Sequence, residues 1–302
     1  MANQAQIQEA YDYLDELIQI NLGKYPDFSN AFYNGDYSLT LEGAQKAKHR
    51  YILDGIGFKD GFRVLDIGCG WGPMLNAVRD RGGTAIGITL SPKQVESCRR
   101  SGLQAYLHDW KELTVGDFGK FDGIVSVGAF EHFCSTEEYL AGHQSEIYQR
   151  FFDLCHDLLP DDGRIYLHTS VWYRNVPAYQ QVSLKEPKGS SERNMALMEI
   201  FFPGSWPPVD KEQVVNSARG FEMISAVNGR LDYIQTTKEW GRCGRQLSPH
   251  KIWAMAKLAV PNLANRNFWY RMEYGRNCVF STCLELEILD NWRFIFERRP
   301  DR

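Results

Sequence analysis

Three clusters of residues have the types and spacing to do chemistry. In Asp66-Ile67-Gly68-Cys69-Gly70-Trp71-Gly72 an apolar run enters a turn of alternating glycines that opens a helix at Pro73. Glycine at Gly68, Gly70 and Gly72 leaves the backbone open to a ligand and permits the positive φ of a tight strand-to-helix turn. Asp66 sets a carboxylate where it can face a ribose or a charged amino group. A fourth apolar run leads into Glu131-His132, and His168 closes a fifth. Carboxylates and imidazoles are general acid–base groups, and they matter most at the carboxyl edge of an open α/β sheet, where such folds bind ligands. The third cluster follows the second and third runs. Thr89 and Gln94 offer neutral hydrogen-bonding groups, and Asp109-Trp110 offers a carboxylate for an adenine amino group beside an indole that can stack on the ring.

A glycine-rich strand–turn–helix serves both dinucleotides and S-adenosylmethionine. Dinucleotide sites use G-x-G-x-x-G to seat a pyrophosphate on a helix N-terminus, whereas the run here is D-x-G-x-G-x-G followed by proline. That spacing predicts S-adenosylmethionine as the ligand and methyl transfer as the chemistry.

The elements that must position these groups read as a doubly wound, Rossmann-like α/β fold. Strands are expected at Phe62–Ile67, Thr84–Ile88, Gln104–His108, Gly123–Val127 and Arg164–Thr169, with crossover helices at Pro73–Arg81, Pro92–Ser101 and Thr136–Leu159. A strand near Glu222–Val227 and an antiparallel edge hairpin made of Cys278–Leu289 and Trp292–Glu297 complete seven strands. Residues 1–61, with an amphipathic helix around Ile7–Ile20 and a second over Leu41–Leu53, read as an N-terminal helical lid. Insertions at about 170–208 and 231–275 read as further lid, the latter as a long helical stretch, so 1–302 is expected to form one domain.

Composition narrows the partners. No apolar run approaches the roughly 20 residues of a membrane span, and the N-terminus lacks the regions of a signal peptide, so a cytoplasmic protein is expected, with the membrane surface as its one peripheral setting. The seven cysteines contain no C-x-x-C pair, which argues against a zinc site or a disulfide framework, and no metal site is expected. A net charge of −4 argues against a nucleic-acid partner.

Together, Leu65–Gly72, the Thr-Leu-Ser-Pro-Lys-Gln run over Thr89–Gln94, Phe130-Glu131-His132, Leu167-His168-Thr169, Phe202-Pro203-Gly204 and Thr40–Lys48 resemble the cyclopropane fatty acid synthase family, which includes the mycolic acid cyclopropane synthases. The resemblance implies an S-adenosylmethionine-dependent C-methyltransferase acting on an alkene of a lipid acyl chain through a carbocation. It implies cofactor contacts from Phe28, Ser29, Leu90 and Val127 beside those above, and a bound bicarbonate as base, held by Glu131, with His168 and Tyr233 donating hydrogen bonds. Where the family has a cysteine in the N-terminal lid, this chain has Asn30. Aromatic candidates for stabilising the cation are Trp172, Tyr173, Phe201, Phe202, Trp206, Tyr233 and Trp269.

Two further readings concern the acceptor. The basic helix face with Lys46, Lys48, His49 and Arg50 is a candidate dock for a carrier protein's acidic helix or an anionic head group. Arg174, Lys185, Lys188 and Arg193 keep open an isoprenoid diphosphate as the methyl acceptor, and folds of this kind also carry N-methyltransferases of small amines.

Overall fold

Short β-branched runs become interior strands when both faces of a sheet are covered. In the computed structural model, which describes residues 17–22 and 26–300, seven strands form one sheet: β1 Arg63–Ile67, β2 Thr84–Thr89, β3 Gln104–Leu107, β4 Gly123–Val127, β5 Arg164–Trp172, β6 Phe221–Asn228 and β7 Leu289–Arg298. Their order is β3-β2-β1-β4-β5-β7-β6, with β1 to β5 parallel and β7 running antiparallel between β5 and β6. The order reverses between β1 and β4, the switch point at which such sheets open a crevice for ligands. Register brings the chemistry there: Asp66 lies opposite Gly87, and Val127 opposite His168.

The seven-stranded mixed sheet is the expected one, but its antiparallel edge is built differently. Cys278–Leu289 is not a strand. It contains the helix Val279–Glu285, whose buried Val279, Cys283 and Leu284 fall at helical spacing, and the pairing of β7 is with β5 and β6. A short apolar run carries no period strong enough to separate helix from strand. Thr136–Leu159 divides into Thr136–Leu140 and Gln144–Leu158 at Gly142, whose φ is +82°. The stretch Leu231–Tyr274 is three helices, Arg230–Arg245, Pro249–Ala259 and Arg266–Arg276, the last two capped by Ser248 and Asn265. Within 170–208 the fifth strand runs on to Trp172, and Ser190 caps a helix, Ser191–Phe201. Residues 17–22 are helical, while the rest of the amphipathic segment at Ile7–Ile20 lies outside the described residues.

Two apolar clusters divide the molecule. One, around Phe130, Phe151, Phe152, Phe294 and Phe296, packs the Gln144–Leu158 helix on the sheet. The other, around Trp172, Met198, Phe201, Trp206, Tyr233 and Tyr274, packs the Ser191–Phe201, Arg230–Arg245 and Arg266–Arg276 helices together. Arg293 of β7 ties the two together. It is 1% exposed, its Nη1 is 3.0 Å from Asp232 Oδ2, its Nη2 donates to the Ala31 carbonyl at 2.8 Å, and its guanidinium lies 5.0 Å from the centre of the Phe32 ring. Breaking a buried ion pair from one side leaves a charge without compensation. Arg293→Leu is therefore expected to lower the unfolding free energy by about 3–5 kcal/mol, as measured by urea denaturation.

Candidate active site

A cavity of about 420 Å³ opens at the carboxyl edge of the sheet. Its floor is the glycine turn. Gly68 has φ +87°, and a Cβ there would come within 2.3 Å of Ala129 Cβ, so the close approach of this turn to the start of the Glu131 loop requires glycine. Asp66, Gly68 and Gly70 line the cavity, as do Phe28, Ser29, Thr89, Leu90, Gln94, Asp109, Trp110 and Val127. Gly72 does not. Its φ of +79° starts the Pro73–Asp80 helix, and its missing Cβ makes room for Leu103 and Cys98 below the turn. Thr89 Oγ1 donates to Gln94 Oε1 at 2.6 Å, leaving the Gln94 amide hydrogens for a ligand. Asp109 accepts from the Lys111 backbone N–H at 2.9 Å. Trp110 is largely a core residue, edge-on to Phe151 at 5.6 Å, with part of its surface on the cavity.

Beneath this half lies a buried charge cluster that sequence reading had placed on the surface. Lys48 is 1% exposed, and its Nζ donates to Asp27 Oδ1 at 2.6 Å, Ser29 Oγ at 2.5 Å and Gln45 Oε1 at 2.6 Å. It is therefore no part of a docking face, and Lys46 beside it is paired with Glu42 at 2.7 Å. Burial, with Asp27 nearby, pushes the Asp66 carboxyl up to about 7, while Lys48 acts in the opposite direction. A cationic or hydroxyl-bearing ligand would restore its charge.

The opposite half is aromatic. Trp172, Phe202, Trp206 and Tyr233 line it, joined by Phe280, and Trp206 stacks on Tyr139 at 4.6 Å. Phe201 lies behind them, stacked on Tyr274 at 4.0 Å; Tyr173 is not on the cavity, and Trp269 is half exposed on the outer surface. Arg174, Lys185, Lys188 and Arg193 are absent from the lining, and Arg193 is committed to Glu273 through two contacts of 3.0 and 2.9 Å. The two lysines in the described lining, Lys48 and Lys111, are paired with Asp27 and Glu138.

Between the halves stand the acid–base groups. Glu131 accepts from Thr169 Oγ1 at 3.1 Å, and burial pushes its carboxyl up to about 7. His132 is 2.8 Å from Ser205 Oγ, and burial pulls its imidazole down to about 4. Tyr233 faces the cavity with its ring 4.7 Å from Phe280 and 6.2 Å from His168. His168 does not reach the lining. It is 1% exposed, and burial followed by the charge of Arg293 pulls it down to about 3, so it is neutral at physiological pH.

The tautomer of His168 follows from a chain of amides. Asn30 Nδ2 donates to the Gly229 carbonyl at 2.9 Å and to Asn291 Oδ1 at 2.8 Å. Asn291 therefore presents its oxygen to His168 Nε2, 2.7 Å away, and that nitrogen carries the proton. The expectation that His168 donates into the cavity is corrected: its N–H is spent on Asn291, and the buried Nδ1 is left as an acceptor without a partner. Asn30 likewise turns toward Asn291 and away from the cavity. Sequence reading missed Asn291 and Thr169, although Asp290-Asn291 interrupting an apolar run was a visible sign of buried polar work.

Residues 1–268 match the family model described as mycolic acid cyclopropane synthetase. The chain belongs to that family. It is 32% identical over 260 residues to cyclopropane mycolic acid synthase 2 of Mycobacterium leprae, covering 83% of this chain and 82% of the relative. Among solved structures it is similar to the cyclopropane synthase MmaA2 of Mycobacterium tuberculosis, with TM-score 0.75, 25% identity and 99% of each chain covered. It is also similar to the mycolic acid cyclopropane synthase CmaA1 complexed with SAH and CTAB, with TM-score 0.74, 25% identity and 99% of each chain covered. Like the family, it is an S-adenosylmethionine-dependent methyltransferase acting on lipid double bonds.

Two outcomes follow for this family member. Replacing Asn291 with Leu removes the acceptor that fixes the His168 tautomer, so turnover is expected to fall about 10–100-fold with an unchanged dissociation constant for S-adenosylmethionine by calorimetry. For Glu131 the folded pKa lies above the ordinary carboxylate value, so its contribution to stability is fully present below about 4.5 and is lost as pH rises through about 7. Glu131→Gln should therefore raise the melting temperature at pH 8, and the gain should vanish toward pH 4, as read by calorimetry.

Proposed function

We propose that Glu131, Tyr233 and, through Tyr233, His168 organise the acid–base step of methyl transfer to a carbon–carbon double bond within an acyl chain, and that the cofactor contacts are those of the glycine-turn half of the cavity. The observation that carries this reading is the continuity of the cavity: one space joins the Asp66–Gly70 turn to the wall of Trp172, Phe202, Trp206 and Tyr233. When bound, the cofactor supplies an electrophilic methyl group. The chain's own residues do the rest. The glycine turn admits the ligand against the backbone, Gln94 and Asp109 orient it, and the lid aromatics exclude water and bind the apolar chain. Their faces favour positive charge on the chain carbon by about 1–2 kcal/mol each when desolvated.

Bicarbonate fits as the base in this corner because the groups around it hold unspent hydrogen-bonding capacity. Glu131 exchanges a proton near neutrality and Tyr233 brings a hydroxyl to the cavity wall, with His168 packed behind the Tyr233 ring. Held by Glu131 and Tyr233, bicarbonate would supply the basic oxygen for the proton leaving the alkylated chain. The seven free thiols accord with a reducing, cytoplasmic setting, and no helix among the described residues is long and apolar enough to cross a membrane.

Incubation with S-adenosylmethionine and monounsaturated phospholipid is expected to add one CH₂ per chain, detected by mass spectrometry and retained after mild hydrogenation. Glu131→Gln should lower turnover at least about 100-fold with cofactor binding intact. Full turnover in that variant, or Mg²⁺-dependent methylation of a prenyl diphosphate with no reaction on lipid, overturns the assignment.

A further inference from the structure

From Trp240 to Met272 the chain carries six Lys or Arg and no Asp or Glu; Lys251 and Arg271 are buried and Arg242 pairs with Glu239 at 2.7 Å, which leaves Arg245, Lys257 and Arg266 on the surface. This stretch contains the Pro249–Ala259 helix, which is turned inside out. Lys251 is buried, its Nζ donating to the Cys243 carbonyl at 2.7 Å, while the adjacent Ile252 and Trp253 are 55% and 64% exposed. Ile252, Ala256 and Val260 recur at four-residue spacing, so the exposed apolar side chains form a row along one face. The row continues past the helix to Leu263 and Trp269, whose indole Nε1 donates to the Leu263 carbonyl at 2.9 Å. Contiguous exposed apolar surface of this kind marks an interaction site.

The charges around it identify the partner. Lys257 Nζ lies 5.5 Å from the centre of the Trp253 ring, and Arg245 and Arg266 are exposed before and after the helix in the chain. Lys and Arg around a Trp-bearing apolar face, with no carboxylate among them, suit a helix lying at the headgroup boundary of an anionic bilayer. The acidic helix of a carrier protein would call for an unbroken basic face; here the cations border an apolar centre.

We propose that the surface running from the Pro249–Ala259 helix to Trp269 docks the enzyme on an anionic phospholipid bilayer, with Ile252, Trp253 and Trp269 seated at the headgroup boundary. The surface is coupled to the cavity. Tyr274 and Glu273 of the Arg266–Arg276 helix clamp Phe201 and Arg193 of the Ser191–Phe201 helix, which presents Met195 and Met198 to the cavity. The bilayer would thus lie one helix away from the acceptor pocket. That role rests on the lipid-acceptor reading, but docking is measured without turnover, so the two fail separately.

The test is flotation of the purified full-length protein with vesicles of phosphatidylcholine alone and of phosphatidylcholine mixed with phosphatidylglycerol. The wild type is expected to float with the anionic vesicles and to be released by salt. Trp253→Ser with Trp269→Ser, and separately Lys257→Glu with Arg266→Glu, should each lower the partition about tenfold or more. Both double variants should keep the wild-type melting temperature and turnover on detergent-dispersed substrate. Failure of the wild type to float, or equal flotation of wild type and the charge-reversal variant, overturns the proposal. So does a wild-type dimer in sedimentation that the Trp substitutions split, which assigns the surface to a second copy, or binding to an acidic acyl carrier protein, but not to vesicles, that charge reversal abolishes.

Discussion

A guanidinium sealed from water sets the terms for the rest of this molecule. Arg293 enters from the middle of β7, and burying its charge costs several kcal/mol unless partners surround it. Those partners come from far apart in the chain: Asp232 from the first turn of the Arg230–Arg245 helix, the Ala31 carbonyl and the Phe32 ring from the segment before the Leu41–Gly55 helix. Sheet, N-terminal segment and the Arg230–Arg245 helix are held by one charge. Tyr233 follows Asp232 directly, so the pair that satisfies Arg293 also aims the phenol at the cavity. The same positive charge, acting with burial, keeps His168 neutral.

A second buried cation organises the other half. Lys48 gathers Asp27, Ser29 and Gln45 beneath the glycine turn, and Asp27 in turn meets His49 at 2.7 Å. Phe28, between Asp27 and Ser29, is thereby held against Trp240 in a 4.4 Å stack and on the glycine-turn half of the cavity. Asp66 stays poised near neutrality because Asp27 and burial oppose its ionisation more than Lys48 favours it.

Between these two cations the groups of the acid–base corner are held toward neutrality. Glu131 is raised, His132 and His168 are lowered, and all three shifts have burial as their first cause. A medium that disfavours ions in its walls also keeps water away from a reactive chain carbon, and leaves aromatic faces as the main source of stabilisation for positive charge. Acid–base groups that change charge easily, beside rings that need not, are what alkylation of an alkene requires.

The sequence by itself determined the strand-rich half. Alternating β-branched runs and crossover helices are local patterns, and the glycine turn with Asp66, Thr89–Gln94 and Asp109-Trp110 sits at their ends, so sheet, cofactor edge and the loop of Glu131 were all legible from spacing. Tertiary structure alone decided the lid and the second layer of the site. Cys278–Leu289 became a helix because its apolar residues are buried against other helices, and that burial is not written in a short run. Lys48 read as surface charge, yet it is buried, because a charge goes wherever distant partners satisfy it. His168 was identifiable as a residue but not as a tautomer: that depends on Asn30, Gly229 and Asn291, scattered along the chain and joined only when β7 pairs with β5. Periodicity reports which face of an element is apolar; it carries no information about which remote polar groups will meet across that face.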